Sequence, residues 1–204
     1  LTTRPPRGID GWWGGPGTTL SRWPVLRDRG GNVRGYVQFA SFDGPLVLRL
    51  LLTPRPDVVV VEPPPTTGTV VRLVCAVRRI PYVYYAGDVS STAAAGIGTP
   101  APVVAVLRAV ESWVLRGARH VLAVSEGVAN DIRELAGAQT PVTVVGTGVD
   151  TTTFSPRPSA PDDDTTPPRR LVYAGTMSEI QGAEVFVRAF GLIASEHPDA
   201  ELVM

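Results

Sequence analysis

Few residues in this chain combine a reactive type with an informative position, and a lone carboxylate stands out among them. Asp88 follows an aromatic and β-branched run at 82–85 and precedes Ser90, Ser91 and Thr92. If that run is a strand, Asp88 lies on a loop at the carboxyl edge of a parallel sheet, where open α/β sheets bind ligands. A carboxylate there can accept hydrogen bonds from hydroxyls and orient an acceptor. The alternative role is an N-cap or Asx-turn for the serines that follow. Gly175-Thr176 forms a turn between another strand and a helix, and backbone N–H groups at such turns can bind phosphate oxygens. Trp12 and Trp13, within a glycine-dense stretch, offer indole faces that can stack on a sugar or anchor their loop to the domain.

Other chemistries are excluded by type or spacing. Gly146-Thr147-Gly148 follows a strand-like run, but the third glycine of a dinucleotide fingerprint would fall at Thr151, and no helix pattern follows. All 19 Lys and Arg residues are Arg, which excludes a Walker A lysine and lysine Schiff-base chemistry within this chain. Asp162, Asp163 and Asp164 sit in a Pro- and Thr-rich tether rather than in a fixed ligand set, and His120 and His197 are far apart. No metal site is therefore expected. No Gly-x-Ser-x-Gly elbow is present. Zero formal net charge and the lack of a basic–aromatic motif argue against nucleic acid as a partner.

The charge is unevenly spread, with eleven Arg against five acids in residues 1–80 and eight against fourteen in 81–204. The first part would suit an anionic lipid surface or a phosphate group, although no dense basic block is present. Cys75 has no intrachain partner for a disulfide and is expected to be buried in its apolar run. No apolar run reaches the roughly 18–20 residues of a spanning helix. The expected location is cytoplasmic, with room for peripheral association at the inner membrane face. The chain begins at Leu1 and ends at Met204 in a strand-like run, so it is expected to be a fragment.

The elements that must position these residues alternate. Residues 36–39 are β-like, and an apolar helix is expected from Pro45 to Leu52. Residues 57–62 are a Val-rich strand of the kind covered on both faces. Helix follows at 69–79, strand at 82–85, and a helix opened by Pro102 whose apolar face is Val103, Val106, Leu107, Val110 and Val114. A strand at 119–124 leads to Ser125 as an N-cap, a helix at 126–135 and a strand at 142–145. Residues 155–168 have linker composition. The alternation then restarts with a strand at 170–174, a helix near 182–196 and a strand from 201. The economical fold is α/β, a Rossmann-like doubly wound parallel sheet at 1–149, a linker at 150–169 and the truncated start of a second Rossmann-like domain at 170–204.

Three stretches, Gly146–Pro156, Leu171–Gly182 and Ala189–Met204, together resemble the retaining glycosyltransferases of family 4, which have the GT-B fold. The family's interdomain G-x-D-x-x-x-F-x-P segment is matched by Gly148, Asp150, Phe154 and Pro156, and the resemblance spans about Pro56 to Met204. It implies transfer of a sugar from a nucleotide-sugar donor, a substrate rather than a cofactor, with retention and no obligatory metal, and a fragment lacking most of the donor site would be inactive alone. The acceptor would be a glycan, a lipid-linked molecule or a small molecule. Gly148 and Asp150 would belong to the hinge, and Gly175, Thr176, Gln181 and Gly182 would bind the donor diphosphate. Thr176 and Gln181 replace the Arg and Lys common in the family, exchanging two cations for neutral donors. Asp88 would be the catalytic-loop counterpart, and Trp12, Trp13 and Ser125 would lie on the acceptor side. Other readings of the same architecture are a nucleotide-sugar epimerase and a non-catalytic, periplasmic-type ligand-binding protein.

Overall fold

The structure, a computed structural model, describes residues 1–4, 17–28, 31, 33, 35–155, 169–175, 177 and 181–204. They fall into two compact units, Leu1–Ala95 with Thr99–Thr147, and Gly96–Gly98 with Gly148–Met204. The first carries the two-residue strands β1 (Thr2–Thr3) and β2 (Arg22–Trp23), then α1 (Tyr36–Leu52), β3 (Val59–Val61), α2 (Pro65–Arg78) and β4 (Tyr82–Ala86). After α3 (Ser90–Gly96) come α4 (Ala101–Gly117), β5 (His120–Ala123), α5 (Glu126–Ala136) and β6 (Val142–Val144). The second unit pairs β7 (Arg169–Val172) in parallel with β8 (Ala200–Val203), joined by α6 (Ala183–Ile193).

The main sheet is parallel, in the order β3-β4-β5-β6, as expected of a Rossmann-like α/β chain. Alternation along β4 and β5 turns Tyr82, Tyr84, Ala86, Val121 and Ala123 into the core. There they meet Val71, Val74 and Cys75 of α2, Val114 and Leu115 of α4, and Ala129 and Ile132 of α5. Tyr82 secures the contact by donating its hydroxyl to the Val114 carbonyl at 2.5 Å. Arg72 of α2 lies 4.0 Å from the centre of the Trp113 ring on α4.

Several local expectations are corrected. Residues 36–39 are the first turn of α1, not a strand, and Pro45 lies inside that helix. Phe39, Phe42, Leu46 and Leu50 recur at helical spacing, and Leu46 and Leu50 are each only 4% exposed. Their burial offsets the backbone hydrogen bond that proline cannot donate. Thr67 of α2 also donates to the buried Asp43 carboxylate at 2.6 Å, tying α1 to α2.

In α4, Val103 and Val106 of the expected apolar face are exposed. The buried residues are Glu111, Ser112, Val114 and Leu115, all in the second half, where α2 and α5 pack against the helix. Periodicity finds an apolar stripe but does not reveal how far along it the neighbours reach. Likewise Val58 and Val60 are exposed, so the Val-rich strand is not covered on both faces. The helix expected from residue 69 starts earlier, at Pro65, which suits the first helical turn.

Candidate functional site

Register makes neighbours of two candidate loops. Ala86 at the end of β4 pairs with Ala123 at the end of β5, and the Val124 N–H donates to the Ala86 carbonyl at 3.3 Å. The chain then leaves β4 through Gly87-Asp88 and β5 through Val124-Ser125, both at the carboxyl edge. Ser125 is the N-cap of α5, as expected, its Oγ accepting from the Val128 N–H at 3.2 Å.

Asp88 is exposed, and among the described residues its carboxylate has no hydrogen-bond partner. The Asx-turn and cap roles are therefore not the ones it plays here. On one side it is fixed by the sheet. On the other, Val89 is buried and α3 begins at Ser90.

Beneath that turn is a buried polar group that the sequence did not single out. Glu111, 1% exposed on α4, accepts from the Ser90 N–H at 2.9 Å and from the Ser91 N–H at 3.0 Å, one to each carboxylate oxygen. A negative group suits the unpaired N–H donors of a helix start. Tyr84 and Ser91 are buried nearby, with hydroxyls that have no hydrogen-bond partner among the described residues. Burial first, then the negative charges of Glu111 and Asp88, push the Tyr84 phenol well above its ordinary range. A signal for Glu111 existed, because an acid interrupts the stripe formed by Leu107, Val110 and Val114.

In the second unit, Gly175 follows β7, and a Cβ there would lie 3.1 Å from the Tyr173 hydroxyl. Gly182 is the N-cap of α6 at φ 67°, in the left-handed region that favours glycine, with exposed Gln181 before it. Trp12, Trp13, Thr176 and Asp162–Asp164 lie outside the described residues.

Asp150 organises the turn after Gly148. Its carboxylate accepts from the Thr152 hydroxyl at 2.6 Å, the Thr153 hydroxyl at 2.8 Å and the Thr152 N–H at 2.9 Å. These bonds hold its pKa at about 2, below the usual carboxylate value. Gly148 has neither a left-handed φ nor a close neighbour, whereas Gly146 has φ 70°.

A cavity of about 700 Å³ lies elsewhere, between Phe39, Phe42 and Leu46 of α1 and the Val58–Glu62 segment. Among the described residues, no three His, Cys, Asp or Glu side chains gather as metal ligands, and no helix is long and apolar enough to cross a membrane.

No curated protein matches the chain. Residues 15–153, about two thirds of it, match the family model described as Glycosyltransferase Family 4. The match includes the sheet with the Asp88 and Ser125 loops, and begins well before Pro56, where the resemblance was expected to start. It ends at Thr153, short of the turn at Gly175. With its parallel Rossmann-like sheet, and with a family match running through both loops at the carboxyl edge, the chain belongs to glycosyltransferase family 4, a family of enzymes that transfer sugars.

Proposed function

We propose that the protein transfers a sugar from a nucleotide-sugar donor to a hydroxyl acceptor, with retention and without a metal ion. The observation that carries this is the exposed, unpartnered carboxylate of Asp88 at the carboxyl edge, within the family-matched segment. In this reading residues 1–149 hold the acceptor, 150–169 link, and 170–204 begin the donor side.

The bond between the anomeric carbon and the diphosphate oxygen breaks, and a bond from that carbon to the acceptor oxygen forms. The acceptor's proton passes to the leaving diphosphate. Asp88 accepts a hydrogen bond from an acceptor hydroxyl and orients it, with Ser125 on the adjacent loop. The turn at Gly175-Thr176 and the start of α6 at Gln181-Gly182 supply N–H donors to the diphosphate, favoured by the positive end of the helix dipole. Such fixed dipoles stabilise charge that develops on the leaving group.

Arg55, Arg78 and Arg79 support a peripheral site for an anionic membrane face. Arg78 donates to the Leu50 carbonyl at 2.5 Å, and Arg55 to the Arg79 carbonyl at 2.8 Å, so both charges face neutral acceptors. Leu52 and Val77 nearby are exposed.

The test is transfer by the full protein across a panel of nucleotide sugars, with Asp88→Asn as the variant. A loss of at least ~10-fold in kcat with little change in donor KM is expected, as for a residue that orients the acceptor. Full activity of Asp88→Asn would remove Asp88 from the site. Calorimetry with the nucleoside diphosphate on Gly175→Val tests the donor turn, and undiminished affinity would exclude it.

A further inference from the structure

We infer that Glu111 is a positioning residue for the Asp88 loop: its buried carboxylate clamps the first turn of α3 and so fixes where Asp88 points. This rests on the role proposed above for Asp88.

The geometry is specific to a carboxylate. Both oxygens are used, Oε1 by the Ser90 N–H and Oε2 by the Ser91 N–H, and neither donor belongs to the helix that carries Glu111. The side chain is 1% exposed. Removing an acid from water is costly unless its oxygens are satisfied and its charge is offset. Here two backbone donors and the start of α3 do both.

The clamp acts on a short lever. Only Gly87, Asp88 and Val89 separate the end of β4 from Ser90, and Val89 is itself buried. With the strand fixed by Ala86 and Ala123 and the helix start fixed by Glu111, the Asp88 backbone is held at both ends. Asp88 has no hydrogen bond of its own among the described residues, so its position depends on these anchors. Among the described residues, the hydroxyls of Tyr84 and Ser91 add no hydrogen bond to share the task.

Glu111→Gln keeps the shape but turns an amide NH2 toward one of the two N–H donors. Ser90→Pro removes one donor at the first helical position, where proline is tolerated. In the 204-residue chain, amide exchange at Ser91 is expected to accelerate ~10-fold or more in both variants, with β5 and the second half of α4 unchanged. Unchanged exchange at Ser91, or a uniform rise over β4, β5 and α4, would overturn the clamp.

In the full protein, both variants should lower kcat by ~10-fold or more with donor KM unchanged. In an Asp88→Ala background they should lower it by less than ~2-fold, because residues acting through one another are not additive. Equal losses in both backgrounds would assign Glu111 to stability alone. If the full protein transfers from no donor in the panel, the glycosyl-transfer reading fails, and the exchange result decides the clamp by itself.

Discussion

Gly68 offers the sharpest test of how α2, α4 and β4 are packed. It lies within α2, where alanine would ordinarily stabilise the helix by about 1 kcal/mol. A Cβ on Gly68 would lie 2.7 Å from Val114 Cγ1 and 3.2 Å from Tyr84 Cε2. Val114 is 0% exposed and Tyr84 1%, so neither can swing into solvent. A valine in a helix is also confined to essentially one rotamer. Overpacking of this kind costs about 1–3 kcal/mol, and two rigid neighbours place the cost near the top of that range. Gly68→Ala should therefore be destabilised by about 1–2 kcal/mol net. In a chain of this size that corresponds to a fall in Tm of roughly 2–8 °C. Urea unfolding followed by circular dichroism measures it, and an unchanged m-value shows that stability changed without a change in the surface exposed on unfolding. Gly68→Ala combined with Val114→Ala should be more stable than the sum of the single changes by about 1–2 kcal/mol, since the methyl group then has room. A Gly68→Ala variant as stable as the parent would refute the close approach of α2 to α4.

Other predictions follow from single side chains. The Asp150 carboxylate should titrate near pH 2 by NMR. Because its pKa is lowered in the folded state, the stabilisation it gives is complete above the ordinary carboxylate pKa and is lost as the pH falls from about 4 to about 2. Thr152→Ala should move the midpoint back toward the ordinary value, and an unmoved midpoint would mean that the hydroxyl bond is absent. Cys75, buried and with its thiol pushed up by that burial, should not react with a thiol reagent at pH 8 until the chain unfolds. Fast labelling of the native protein would contradict the packing of α2. Sugar transfer should survive EDTA undiminished, and loss restored by a divalent cation would overturn the metal-free mechanism. Binding to vesicles of anionic phospholipid should weaken in Arg78→Glu/Arg79→Glu, while equal binding to neutral vesicles would remove charge from the explanation.

Much of the α/β order was legible because the strand runs are short, rich in Val and Tyr, and separated by helical periods. Val58–Val61 and Tyr82–Tyr85 carried that signal by themselves. What misled was always a property of the surroundings. Residues 36–39 look β-like one by one, yet they are helical because Phe39 continues the stripe of Phe42, Leu46 and Leu50 across a proline. The stripe of α4 was real, but Val103 and Val106 in its first half stay exposed. Ser125 was readable because a cap is local chemistry, three residues from its partner. Asp88 was placed by counting from the strand, but its lack of a hydrogen bond needed the fold. The bonds from Ser90 and Ser91 to Glu111 cross some 20 residues of sequence, and no local pattern announces them.

The pairing of Ala86 with Ala123 has a consequence for how such an enzyme can diversify. Two residues with minimal side chains, only 1% and 0% exposed, close adjacent strands just before the segments 87–89 and 124–125. Beneath them lies core, and just beyond them the chain turns out to the exposed Asp88 and Ser125. If these loops hold the acceptor as proposed, its preference can be rewritten by exchanging Gly87-Asp88 and Val124-Ser125 together, 37 positions apart from Asp88 to Ser125 yet on adjacent strands, with buried Val89 left in place. The sheet serves as a fixed socket, and the two loops are its interchangeable fittings.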